Sequence, residues 1–309
     1  MRYRIEHVTR YAYSQPVGLS LQVGHLRPRD SAEQRCLSHA LSVSPEPDYL
    51  FEDRDYFGNP VTRFELIKPH QSLQIVASSE VEVQRKGERP SEVPSWEAVS
   101  AHFASTRWGL DEDSRAGEFL FPSLYVPHSQ AMREYAAESF GEDRSVIDAT
   151  RDLMGRIHAD FDFDPSATHI ATPVETVLKM RRGVCQDFAH LMIACLRALG
   201  LPARYMSGYL LTQPPPGKPR MIGADASHAW VALYVPEHGW FEFDPTNDVM
   251  PGEAHITLGW GRDFADVSPL RGVIHGGGEH DVAVGVTVTP LGETKEAAEP
   301  SRPAKPEAA

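Results

Sequence analysis

Cysteine is scarce in this chain: Cys36, Cys185 and Cys195 are the only three in 309 residues. An odd, small number without repeating spacing excludes a disulfide framework. Cys185 and Cys195 would sit about 15 Å apart on one helix, too far to bridge. Positive charge is scarce too. Thirty Lys and Arg face 43 Asp and Glu, a net charge of −13. That balance argues against a nucleic-acid backbone or an anionic membrane as partner. No stretch approaches the ~20 apolar residues of a membrane span. The opening MRYRIEHVTRYAY lacks the apolar h-region of a signal peptide. The expectation is a cytoplasmic protein in a reducing setting.

What is present suits a globular protein of two domains. The hydrophobic fraction is 41% and the charged fraction 24%, both ordinary, and the length allows two cores. Residues 1–95 read as a small antiparallel β domain, sandwich-like. Val61–Ile67 and Leu73–Val83 are rich in β-branched residues, and Gly58-Asn59-Pro60 supplies turn chemistry before them. Residues 96–144, broken by prolines, read as a connecting segment, with Asp111-Glu112-Asp113 as a solvated loop.

From 145 to 290 the pattern changes to helices followed by strands. Ser145-Val146-Ile147-Asp148 is a capping-box-like start. Thr172-Pro173-Val174-Glu175 is a second start, with Thr as cap and Pro at the first helical position, and Gly183 ends that helix. Val184–Leu199 is apolar around most of its circumference, the mark of a buried helix. Ala203–Leu211, His228–Val235 and Trp240–Asp244 read as strands, the last two joined by Pro236-Glu237-His238-Gly239. This order gives an α+β domain. Residues 213–220 read as a stiff exposed loop. Residues 291–309, rich in Pro, Glu, Ala and Lys, read as a disordered tail.

Three words carry the chemistry: Gly183-Val184-Cys185-Gln186-Asp187, Ser227-His228-Ala229-Trp230 and Phe243-Asp244-Pro245-Thr246. Cys185 stands at the start of the buried helix, where unpaired N–H groups favour an anion such as a thiolate. Cys195, mid-helix among apolar residues, reads as structural. For His228 and Asp244 to share a sheet face, paired positions must sum to an even number. Pairing Tyr234 with Trp240 satisfies this and sets Asp244 opposite Trp230, with His228 one step along the same face. A thiol, its base and the base's orienter perform acyl transfer through a thioester. His190 points to another side of the helix and reads as a packing residue. His158, His169, His255 and His275 are scattered without zinc-ligand spacing. No metal site and no cofactor are expected.

The words GVCQDFAH, SHAW and FDPTN, in the order Cys, His, Asp, resemble the transglutaminase-like superfamily of papain-like cysteine enzymes. The closest likeness is to bacterial members with an added N-terminal β region. The resemblance implies a papain-like core of helices packed on an antiparallel sheet. It also implies that Cys185, His228 and Asp244 match nucleophile, base and orienter, with a peptide or protein amide as substrate. Animal cross-linking members depend on calcium and carry an aromatic residue directly after the cysteine. Here Gln186 stands there, so hydrolysis of a peptide or amide is favoured. The alternatives are protein cross-linking and a non-catalytic interaction module that kept the fold.

Overall fold

A computed structural model describes residues 1–85, 92–105, 109, 111–212 and 226–291. Strand β1, Arg2–Gly24, alternates buried and exposed residues along its first half, the period of a strand with one face on a core. β2 (Gln34–Ser44), β3 (Tyr49–Arg54), β4 (Pro60–Leu66) and β5 (His70–Val83) follow. Next come α1 (Trp96–Ser105), α2 (Glu112–Gly117), α3 (Gln130–Ala137), α4 (Val146–Asp160), the short β6 (Asp162–Phe163), α5 (Val174–Met180) and β7 (Arg182–Gly183). Then α6 (Cys185–Ala198), β8 (Ala203–Leu210), β9 (Ala226–Val235), β10 (Gly239–Phe243), β11 (His255–Gly261), α7 (Phe264–Val267), β12 (Leu270–Gly276) and β13 (His280–Pro290) complete the chain. The architecture is α+β, as the sequence predicts. The expected loop 213–220 lies outside the described residues, as does the expected tail beyond Leu291.

The N-terminal β region is one seven-stranded antiparallel sheet, not a pair of sheets. β1 is long enough to serve two halves. Its first half pairs with β5 and β13, its second with β4 and β12. The pairing with β5 shifts register between Ala12 and Val17. That stretch contains Pro16, which has no N–H to give a ladder. Phe64, Leu66, Leu73 and Ile75 fill the core so formed, each burial contributing roughly 1.5–3 kcal/mol before entropy is counted.

Two stretches pack differently from the sequence expectation. Residues 270–290, grouped there with the catalytic domain, pair with β1 in the first sheet. The 96–144 stretch contributes Val99, Phe103, Met132, Tyr135 and Phe140 to the same core as α6. Its acid run is no free loop. Asp111 caps α2 by accepting from the Ser114 N–H at 2.7 Å, and Asp113 accepts from the Tyr234 hydroxyl at 2.8 Å. Ser145 caps α4 as expected. The next helix starts one residue later than expected, with Pro173 at the cap position, and it ends at Met180 on a left-handed Arg181 (φ 55°) rather than at Gly183.

The second sheet has the order β10-β9-β8-β11, and α6 packs on it through Leu191, Ala194 and Cys195. The β domain covers the free edge of β11 with side-chain amides. Gln34 accepts from the Thr257 N–H and donates to its carbonyl, both at 2.7 Å. Asn59 does the same for Trp260, at 3.0 and 2.8 Å. A second seam is apolar, Tyr3, Ile5, Val81 and Val286 packing on Tyr209, Ile256 and Leu258. The second sheet is thereby fixed to the β domain along its β11 edge.

Candidate active site

The first turn of α6 is built around one carboxylate. Asp187 accepts from the Val184 N–H at 2.9 Å and from the Thr168 hydroxyl at 2.6 Å. It thus satisfies one of the donors a helix start leaves open. Burial raises its pKa, opposed by those two hydrogen bonds. Gly183 makes this closure possible. A β-carbon there would stand 2.7 Å from the Asp187 carboxylate and 2.9 Å from its Cβ. Cys185 is thereby held at the helix start, half-buried and outside any disulfide.

The hairpin that faces it has the register derived from the sequence: Trp240 pairs with Tyr234, and Phe243 with Val231. Asp244 therefore comes round to the His228 face. His228 Nε2 donates to Asp244 Oδ2 at 2.7 Å, with His228 8% exposed and Asp244 fully buried. The other ring nitrogen is left for the thiol, and Cys185 lies close enough to this imidazole to favour its charged form. Burial opposes charge on His228. The Asp244 and Cys185 hydrogen bonds and their charges outweigh it and raise the imidazole pKa to about 10. Asp244 shows the mirror effect. Burial raises it, but the bonds from His228 and His255 hold it well below the carboxylate range. The structure thus brings Cys185, His228 and Asp244 together.

Two further groups grip Asp244. Asn247 donates through Nδ2 to Oδ2 at 2.7 Å, and its backbone N–H to Oδ1 at 3.3 Å. Its 3.4 Å approach to His228 Nε2 is a contact between two donors, because that Nε2 proton already lies on Asp244. His255, 4% exposed, donates from Nε2 to the same Oδ2 at 3.0 Å. Its Nδ1 is buried without a partner among the described residues. Sequence reading counted His255 among the scattered histidines. It comes from β11, a strand not anticipated, and three strands of register separate it from Asp244. Asn247 stood inside the word FDPTN without a role. An Asx residue three positions after a turn-forming Asp was the available signal.

His228, Asp244 and His255 each offer one ligand atom, all within 4.8 Å of one another. A cation there would have to displace two imidazole N–H donors. His190 packs as expected. It stacks on Tyr125 at 5.5 Å, accepts from the Phe264 N–H, and burial lowers it to about 3. His158 Nδ1 donates to the Thr246 carbonyl at 2.9 Å, 88 residues away, and His169 Nδ1 accepts from the Ala171 N–H at 3.2 Å. Among the described residues no helix is long and apolar enough to cross a membrane.

Comparison with known proteins gives the family. Residues 3–82 match the bacterial transglutaminase-like N-terminal region, and residues 133–245 match the transglutaminase-like superfamily. An uncharacterized protein of Mycobacterium tuberculosis is 44% identical over 295 residues, 94% of this chain and 93% of that one. A protein-glutamine gamma-glutamyltransferase of Pseudomonas aeruginosa is 27% identical over 170 residues, 52% of this chain and 25% of that one. Among solved structures, a provisionally named cysteine protease of Cytophaga hutchinsonii aligns with TM-score 0.75 at 24% identity, covering 95% of this chain and 91% of that one. That likeness establishes the fold. The chain belongs to the transglutaminase-like superfamily, in the form that carries a bacterial transglutaminase-like N-terminal region.

Proposed function

We propose that this chain is a thiol enzyme that hydrolyses a peptide or amide through a thioester on Cys185. The observation that carries the reading is the buried His228 imidazole, bonded on one side to Asp244 with Cys185 as its other charge-favouring neighbour. His228, raised to about 10, already holds the proton of the pair at neutral pH, and the sulfur attacks the carbonyl carbon. The tetrahedral oxyanion forms beside the N-terminus of α6, whose N–H groups favour negative charge. Collapse breaks the C–N bond, and His228 returns the proton to the departing amine. Water then adds to the thioester, gives a proton to His228, and the thiol is restored. Asp244 fixes the imidazole tautomer throughout.

Water is favoured over an amine as acceptor because Gln186, not an aromatic residue, follows the thiol. Amine transfer is the second reading, favoured by the name of the Pseudomonas aeruginosa relative. The three free thiols fit a reducing compartment, and a peptide or protein substrate fits a nucleophile this close to the surface.

The test is an activity-based acyl probe on the full chain, with the adduct located by mass spectrometry. The expected adduct sits on Cys185 and is released by water, with or without a metal chelator and with excess primary amine present. An adduct elsewhere would remove the assignment. Mostly amine-coupled product, or a strict calcium requirement, would favour the second reading.

A further inference from the structure

Buried arginines are costly unless acceptors surround them. Arg197, 5% exposed, meets that need, donating to the carbonyls of Ala203, Phe121 and Arg262. Arg204 does not. It is 7% exposed, and among the described residues its guanidinium has no hydrogen bond and no ion pair. Two indoles hold it instead, with its central carbon 3.9 Å from the ring centres of both Trp240 and Trp260. Arg29 lies over Trp260 as well, at 3.5 Å. Stacking of this kind contributes up to ~2 kcal/mol each when desolvated and leaves the N–H edge of the guanidinium unused.

Arg204 lines a cavity of about 820 Å³ where the β domain, α2 and the second sheet meet. The cavity also presents Arg29, Arg115, Glu112 and Glu118, with Phe57 and Phe119 as apolar wall. Three arginines against two glutamates leave one positive charge, which suits a monoanion better than a phosphate dianion. A free guanidinium edge matches a planar carboxylate with two parallel N–H donors. Neither Cys185 nor His228 lines this cavity. Arg204 pairs with Ala232, and Gly208 with His228. The cavity mouth therefore lies four residues along the strand from the thiol site, about 13 Å.

We propose that this cavity is a second binding site, for a small monocarboxylate with an apolar, flat body. The carboxylate is received by the terminal N–H groups of Arg204, and the body lies against Phe57 and Phe119. The site stands independently of the thiol chemistry proposed above.

Titration calorimetry on the full chain tests it, with 3-phenylpropanoate, its uncharged amide 3-phenylpropanamide, and inorganic phosphate as probes. The acid is expected to bind, the amide about tenfold or more weakly, and phosphate not to compete. Arg204→Met, which keeps an unbranched stem between the indoles, is expected to weaken the acid about tenfold or more. If that variant fails to melt cooperatively, Arg204→Lys replaces it, keeping charge but losing the fork, with the same loss expected. Cys185→Ser is expected to bind as the wild type does. Equal affinity for acid and amide, displacement by phosphate, no binding at about 10 mM probe, unchanged affinity in a folded Arg204 variant, or loss in Cys185→Ser would each overturn the proposal.

Discussion

Two turns of one helix give the same side chain opposite surroundings. At the first turn of α6, Cys185 is half-buried, faces His228, and lies beside N–H groups that have no helical partner. Ten residues on, Cys195 is fully buried within the apolar core, and burial pushes its thiol up to about 12. Composition and helix are shared, so the difference comes from position alone. A thiol is reactive where the backbone and a neighbouring imidazole favour its anion, and inert where nothing does.

The sharpest break in that comparison is removal of the first thiol or its base. Cys185→Ala should eliminate turnover without a large change in thermal midpoint, and His228→Ala should lower turnover by ~10⁴-fold or more and also lower the midpoint, because Asp244 loses a buried partner. Steady-state rates beside a calorimetric melt would show this. Retained activity in Cys185→Ala would make the two cysteines equivalent and end the argument.

Next in size is Asp244→Asn, expected to cost ~10²–10⁴-fold in rate because the imidazole loses the carboxylate that sets its tautomer. The pH dependence sharpens the test. His228 is raised from 6.5 to about 10, so its contribution to stability is full below 6.5 and lost as pH climbs through about 10. Asp244 is depressed from 3.8, so its contribution is full above 3.8 and lost as pH falls below it. The stability gap between wild type and Asp244→Asn should therefore be widest between 3.8 and 6.5. NMR titration of the His228 ring should show its midpoint falling in the variant; an unmoved midpoint would detach Asp244 from the base.

How much of this was legible beforehand follows the range of each interaction. The Asp244 register could be derived because β9 and β10 are joined by only three residues, so parity alone fixes which side chains share a face. The α6 boundaries were legible from an apolar run stopped by Gly200, which takes φ +77°. The C-terminal strands were not. β12 and β13 pair with β1 across 246 to 287 residues, and no local pattern encodes that partner. The same limit hid His255, whose link to Asp244 needs the β8–β11 pairing with its register shift between Thr257 and Gly259. It also hid Arg204, which looks like an ordinary strand cation until Trp240 and Trp260 close on it.

His255 gives a milder test. Its bond to Asp244 is charge-assisted, and such bonds contribute roughly 1.5–3 kcal/mol. His255→Leu should therefore slow turnover by about tenfold to a hundredfold and shift the His228 midpoint. His255→Gln, which can still donate, should recover part of both. A rate loss without any shift in the pH profile would reduce His255 to packing.

The smallest effect is expected at Cys195. Replacing it by Ala removes one buried sulfur and leaves a small void between α6 and the sheet, a loss of about 1 kcal/mol. Activity should be unchanged, because no group near Cys195 reaches the thiol, His228 or Asp244. Alkylation gives a second reading of the same contrast. Iodoacetamide should modify Cys185 in the native protein. Cys195 has no accessible surface and should react only when the core opens, at a rate that tracks global unfolding in urea. Native labelling of Cys195 at a rate near that of Cys185 would mean that the middle of α6 opens without the rest of the core. The contrast between the two turns would then lie in exposure alone and not in chemistry.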